Sequence, residues 1–168
     1  MALLEGFESF SGSLPDTLAW SVNEGDTTGV SQSALNVTEG SFSLLLVKTA
    51  LFVLTTAGDE QDLSGASTLY MDVTVASASG GGYILLQASA TTGGFEQISD
   101  QTTPDSTGSF TLEIDLSGFA DASALNFQIS TDGTITVNTD NLRDDTGGGA
   151  SVGSGLITGL KLNRMSLV

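Results

Sequence analysis

The side chains here that could do chemistry are almost all carboxylates: 20 Asp and Glu, no His and no Cys. A carboxylate pair can hydrolyse a glycosidic bond when both groups face one cleft. With 20 acids in 168 residues, close pairs arise by chance, and no spacing singles one out. The missing His removes the commonest general base and metal ligand. The missing Cys removes thiol nucleophiles, disulfides and zinc–thiolate sites. Gly147–Gly155 is glycine-rich, but no Lys-Ser/Thr follows it as in a phosphate-binding loop. These residues point away from an enzyme.

Binding chemistry remains. Carboxylate oxygens suit calcium. Asp140-Asn141-Leu142-Arg143-Asp144-Asp145 concentrates charge without the spacing and glycine of an EF-hand, and reads as a solvated loop or a salt bridge from Arg143. Sugars pack against flat aromatic faces. Trp20, Tyr70 and Tyr83 are the candidates, the two tyrosines because they alternate with apolar neighbours. Asn36-Val37-Thr38 has the form of a glycosylation sequon, and outside a eukaryotic secretory context it reads as coincidence. The only bases are Lys48, Arg143, Lys161 and Arg164, giving a net charge of -16. That field opposes nucleic acid and anionic membranes, so neither is expected as a partner.

The elements that must position these residues are strands. The length suits one domain, residues 1–168, with a sizeable core. Val37–Leu54 is apolar at both parities and predicts one or two strands buried on both faces. Leu69, Met71, Val73 and Val75 alternate with polar residues, as do Phe110, Leu112, Ile114 and Leu116, and then Leu125, Phe127 and Ile129. Phe42, Leu44, Leu69, Met71, Val73, Ile84, Leu86, Phe110, Leu112, Ile114, Phe127 and Ile129 are the expected core. Ser77–Gly82 predicts a turn, and Asp132-Gly133 a hairpin. Thr139–Gly155 reads as a long loop and Leu156–Val168 as a last, bulged strand. Asp-Leu-Ser-Gly occurs twice, at Asp62–Gly65 and Asp115–Gly118, without a tandem period. MALLEGFE lacks the basic and apolar regions of a signal peptide, and no run is long enough to span a membrane. Short strands with glycine-rich turns give an all-β antiparallel sandwich or barrel.

Several segments together resemble the carbohydrate-binding modules of the galactose-binding-like, jelly-roll type. They are Gly6-Phe7-Glu8-Ser9, Trp20, Thr38-Glu39-Gly40-Ser41-Phe42-Ser43-Leu44 and Leu63-Ser64-Gly65. The resemblance implies a β-sandwich of jelly-roll type. It also implies a structural calcium between the first strand, the Glu-Gly-Ser turn and the last strand, at Glu8, Glu39 and Asn163. The last of these stands where the family carries Asp.

Two functions follow from these residues. The first is a non-catalytic structural protein, a subunit or decoration protein of a large assembly such as a phage virion or an extracellular filament, with other protein subunits as partners. Its motive is a mean hydropathy of +0.18 in so acidic a chain. Leu44–Val47 must also point two ways, leaving Leu45 and Val47 in need of a cover. The alternative is a carbohydrate-binding module or adhesin that holds glycans through Trp20, Tyr70 and Tyr83. Either role places the protein in a virion or outside the cell.

Overall fold

The computed structural model describes residues 1–56, 58–90 and 97–146. Its strands are β1 (Leu3–Glu5), β2 (Phe10–Ser11), β3 (Leu14–Pro15), β4 (Ser21–Glu24), β5 (Val30–Ser33), β6 (Ser43–Lys48), β7 (Phe52–Thr55), β8 (Thr68–Ala90), β9 (Gln97–Gln101), β10 (Gly108–Asp115) and β11 (Leu125–Asp144). A single 3-10 turn, Leu116–Gly118, follows β10. The strand expected at Leu156–Val168 lies outside the described residues. No helix among the described residues is long and apolar enough to cross a membrane.

The fold is organised on β8 and β11. They have 23 and 20 residues and pair antiparallel from Leu125↔Ala90 to Asp144↔Leu69. Both bend midway, so each serves two layers. One layer runs β10-β8-β11-β6-β5. The other runs β9-β8-β11-β7-β4. The short β1 joins the first layer beyond β6, at Leu142 and Arg143. The two layers enclose one apolar core, giving an antiparallel β-sandwich of jelly-roll type.

The bend corrects two expectations. Neither Ser77–Gly82 nor Asp132-Gly133 reverses the chain. Gly80, Gly81 and Gly133 have φ of 64, 82 and 65, and they turn both strands from one layer into the other at the same level. Between Asp132↔Tyr83 and Thr134↔Ser79, β11 advances two residues while β8 advances four. The backbones cross so closely that a Cβ on Gly133 would lie 2.6 Å from the Gly82 nitrogen. Asp-Gly supplies left-handed backbone to a hairpin only when the next strand must pair with the previous one. Here β8 already pairs with both halves of β11, so the same freedom makes a corner. A second step, from Thr136↔Ser77 to Val137↔Val75, skips Ala76. This bulge switches the buried parity of β8 from Leu69, Met71, Val73 and Val75 to Ile84, Leu86 and Ala88. Both halves therefore face the same core.

Ten of the twelve expected core residues are at most 2 % exposed. Phe110 is half-buried against the core, and Phe42 is 36 % exposed just before β6. The Val37–Leu54 stretch forms β6 and β7, but it is not buried on both faces throughout. On β6, Leu44 and Leu46 are fully buried, Leu45 is half-buried and Val47 is 46 % exposed. The two Asp-Leu-Ser-Gly segments make the same local turn. Asp62 accepts from the Ser64 amide at 3.0 Å, and Asp115 from the Ser117 amide at 2.9 Å.

Candidate functional site

The aromatics singled out by sequence do not converge. Trp20 is a core residue, not a binding platform. It is 5 % exposed, its ring centroid lies 6.4 Å from that of Phe7, and its indole N–H donates to the buried Glu5 at 3.2 Å. An indole that is deep in a core needs such an acceptor. Tyr70 and Tyr83 both point away from the core, but on opposite layers.

Tyr70 lies on the outer face of the first layer, which its own network occupies. The Arg143 guanidinium sits 5.4 Å from the Tyr70 ring and donates to both Asp72 oxygens, at 2.9 and 3.2 Å. Asp72 also accepts from Thr38 Oγ1, Thr111 Oγ1 and Asn141 Nδ2. The segment 34–42 is strapped across this face. Asp140 accepts from the Thr38 and Glu39 amides at 2.6 and 2.9 Å, and the Asn36 carboxamide donates to Asn138. Burial pushes the Asp140 carboxyl above its ordinary range despite these bonds. The Asn36 sequon nitrogen is thus engaged within the strap.

Glu8 serves the same strap. Its Oε1 accepts from the Ser41 and Phe42 amides at 2.7 and 2.8 Å. Gly40, at φ 72, leaves no room for a Cβ, which would lie 2.3 Å from that oxygen. The Glu-Gly-Ser turn is thus closed by a carboxylate on backbone N–H groups. Glu39 is exposed, and its amide is turned to Asp140. Asn163 lies outside the described residues. Among the described residues, no group of three or more acidic side chains could hold a metal ion.

The outer face of the second layer has a different character. One register row, Ser99–Gln87–Gln128–Thr55–Ser21, crosses β9, β8, β11, β7 and β4. The next row is Gln101–Leu85–Ser130–Val53. Ser89 and Asn126 face each other on one side, and Tyr83 and Asp132 on the other. Strand spacing makes the first row roughly 19 Å long. Val53 and Ser130 point away from the core, yet each is only 5 % exposed, because neighbouring groups cover them. Gln128 donates to Ser130 at 3.1 Å, which orients its carboxamide within the row.

No lysine or arginine stands among these residues. Lys48 is buried elsewhere, its ammonium 3.6 Å from the Phe52 ring centroid and bonded to the Asp26 and Thr28 carbonyls; burial lowers its pKa. Arg143 belongs to the first layer. This face therefore offers neutral donors and acceptors beside Leu85, Val53 and Tyr83, and among the named residues the carboxylates stand at its ends, Asp132 and Glu24. Such a surface can exchange hydrogen bonds with a neutral polyhydroxyl chain, and its apolar patches can take C–H faces. Its described residues include no nucleophile–base pair.

Aromatic residues, the usual sequence mark of a sugar platform, do not lead to the amide–hydroxyl row. Its signal was local and plain: Gln87 alternates with Leu86 and Ala88, and Asn126 and Gln128 with Leu125, Phe127 and Ile129. That they form one row with Thr55 and Ser21 depends on register across five strands.

No protein-family model matches this chain, and no curated protein does. Solved structures do match in fold. A family 61 carbohydrate-binding module in complex with β-1,4-galactotriose aligns at TM-score 0.61 and 16 % identity, over 84 % of this chain and 97 % of that one. The family 11 module from Clostridium thermocellum, in complex with a β-1,3-1,4-mixed-linked tetrasaccharide, aligns at 0.58 and 16 %, over 84 % and 93 %. A mannan-recognising module, TmCBM27, aligns at 0.52 and 16 %, over 85 % and 96 %. At such identity the likeness is one of fold: this chain has the jelly-roll β-sandwich of carbohydrate-binding modules.

Proposed function

We propose that this protein is a non-catalytic glycan-binding module, and that it holds a neutral polysaccharide on the outer face of the β9-β8-β11-β7-β4 layer. The observation that carries the reading is the row Ser99–Gln87–Gln128–Thr55–Ser21, neutral and at least partly exposed along its length, with Leu85 and Tyr83 beside it. Hydroxyl-rich ligands need many directional partners and little charge. A length of roughly 19 Å accommodates several sugar rings lying across the strands. The fold likeness to modules solved with galactotriose and mixed-linked glucan supports the same reading. The site residues are then Tyr83, Leu85, Gln87 and Gln128, in place of the Trp20, Tyr70 and Tyr83 set.

Affinity electrophoresis of the full chain in gels containing β-1,4-galactan, mixed-linkage β-glucan or mannan tests this. Retardation by at least one polymer is expected, with Gln128→Ala and Tyr83→Ala each weakening it about tenfold. Equal mobility of wild type in every gel would refute it.

An assembly subunit has one observation in its favour: Val47 on β6 is 46 % exposed, with Leu45 half-buried two residues along the same strand. Sedimentation velocity across salt concentrations separates the readings. A monomer under all conditions leaves Val47 and Leu45 without a self-assembly role.

A further inference from the structure

Ser130 places a hydroxyl where the outer face of the second layer is otherwise apolar. It stands on β11 between Leu85 of β8 and Val53 of β7, and it is only 5 % exposed. Its Oγ lies 3.1 Å from the Gln128 carboxamide, two residues back along the strand and on the same face. Gln128 is the middle member of the five-residue row, with Gln87 on one side and Thr55 on the other. Gln128 is half-buried and Ser130 is covered. The bond therefore ties a residue that solvent reaches to an anchor that solvent does not.

An untethered glutamine side chain samples many rotamers, and a ligand that pairs with it must fix one. The bond to Ser130 fixes it beforehand. This holds whichever way round the carboxamide lies. A hydroxyl both donates and accepts, so it takes a bond from the amide N–H or gives one to the amide oxygen. Either way one end of the carboxamide is held, and its remaining donors and acceptors keep set directions. Ser130 itself offers a sugar almost no surface, so its effect on binding runs through Gln128.

We propose that Ser130 is a positioning residue of the glycan-binding face: it holds the Gln128 carboxamide in one orientation and thereby sets which sugar the row prefers. This inference rests on the glycan-binding reading above. Galactan, mixed-linkage glucan and mannan differ in the directions in which their ring hydroxyls point. A carboxamide with a set direction pairs with one of these patterns and stays unpaired on the others. A freely turning one adapts to each, at an entropic cost each time.

The test uses the full chain as wild type, Ser130→Ala, Gln128→Ala and the double variant, with the three polysaccharides named above. Binding is read by affinity electrophoresis and folding by thermal melting. Ser130→Ala removes a hydroxyl and no apolar volume, and is expected to melt close to wild type. It is expected to bind the preferred polymer about three- to tenfold more weakly and to lose less on the others, so that the preference narrows. In the Gln128→Ala background, Ser130→Ala is expected to change binding less than twofold, because the group it positions is gone. If wild type binds and Ser130→Ala binds the preferred polymer within twofold of it, the inference is overturned while the glycan-binding reading stands. If Ser130→Ala weakens binding as much with Gln128→Ala present as without it, the serine acts by itself and the inference is again overturned. A much lower melting temperature with equal loss on every polymer marks a structural role and overturns it too. If wild type binds none of the polymers, both fall.

Discussion

Single buried groups hold much of this protein together, and Glu5 is the clearest. It is fully buried and accepts from the Phe7 amide, the Leu18 amide and the Trp20 indole at 2.7, 3.1 and 3.2 Å. Trp20→Phe keeps the apolar bulk and removes one donor to a buried carboxylate. It is expected to cost about 1–3 kcal/mol in urea denaturation. Phe127 is fully buried in the core, so Phe127→Ala is expected to cost about 3–5 kcal/mol. Phe110→Ala should cost less in the same assay, because the ring is only half-buried. Equal losses for the two phenylalanines would contradict the assigned burial.

At the scale of elements, corners and turns carry the design. The β8–β11 corner requires glycine at 82 and 133, where a Cβ would lie 2.4 Å from the Thr134 carbonyl oxygen or 2.6 Å from the Gly82 nitrogen. Gly133→Ala adds both that overlap and a left-handed backbone, and is expected to cost about 2–4 kcal/mol. The aspartate turns set the acid response. Hydrogen bonds from Thr28, Ser64, Ser117, Ser123 and Ser67 hold Asp26, Asp62, Asp115, Asp121 and Asp145 below their ordinary value of 3.8. Their contribution is present above that value and lost as pH falls through the folded ones. Asp140 runs the other way: burial raises it, so its contribution is present below 3.8 and lost as pH rises through its folded value. Thermal melting should therefore drop in strong acid. The melting difference, Asp140→Asn minus wild type, should grow as pH rises from about 3 to about 6. A flat or falling difference would show that burial does not raise this carboxyl.

For the whole molecule, the dominant physical fact is a net charge of -16 on a chain with four bases. Self-repulsion of that size works against the compact state, and salt screens it. Raising sodium chloride from about 0.01 M to about 0.5 M is expected to raise the melting temperature, because the Debye length falls from roughly 30 Å to a few Å. The same field is expected to repel anionic polymers from the proposed site. Salt-independent binding of a neutral polysaccharide alongside exclusion of pectate would fit the proposed site. Tight binding of pectate would not.

Composition and alternation by themselves determined the class of fold and most of the core. Period-2 burial places Leu69, Met71, Val73, Leu112, Ile114, Phe127 and Ile129 inward whatever their neighbours turn out to be, because side chains of a strand must alternate. They also determined the net charge, the lack of thiol and imidazole chemistry, and the short turns marked by Asp-Leu-Ser-Gly. Only the tertiary structure decided that Asp132-Gly133 bends a strand and does not end it, since a left-handed dipeptide serves either use and the pairing of β8 along all of β11 makes the choice. It also decided that Trp20 lies inside, through a carboxylate fifteen residues away in sequence, and that Tyr70 and Tyr83, thirteen apart on one strand, face opposite sides. The candidate site belongs to the same category. Ser21, Thr55, Gln87, Ser99 and Gln128 become one row only when register aligns five strands from distant parts of the chain, and register is a property of pairing that no single segment contains.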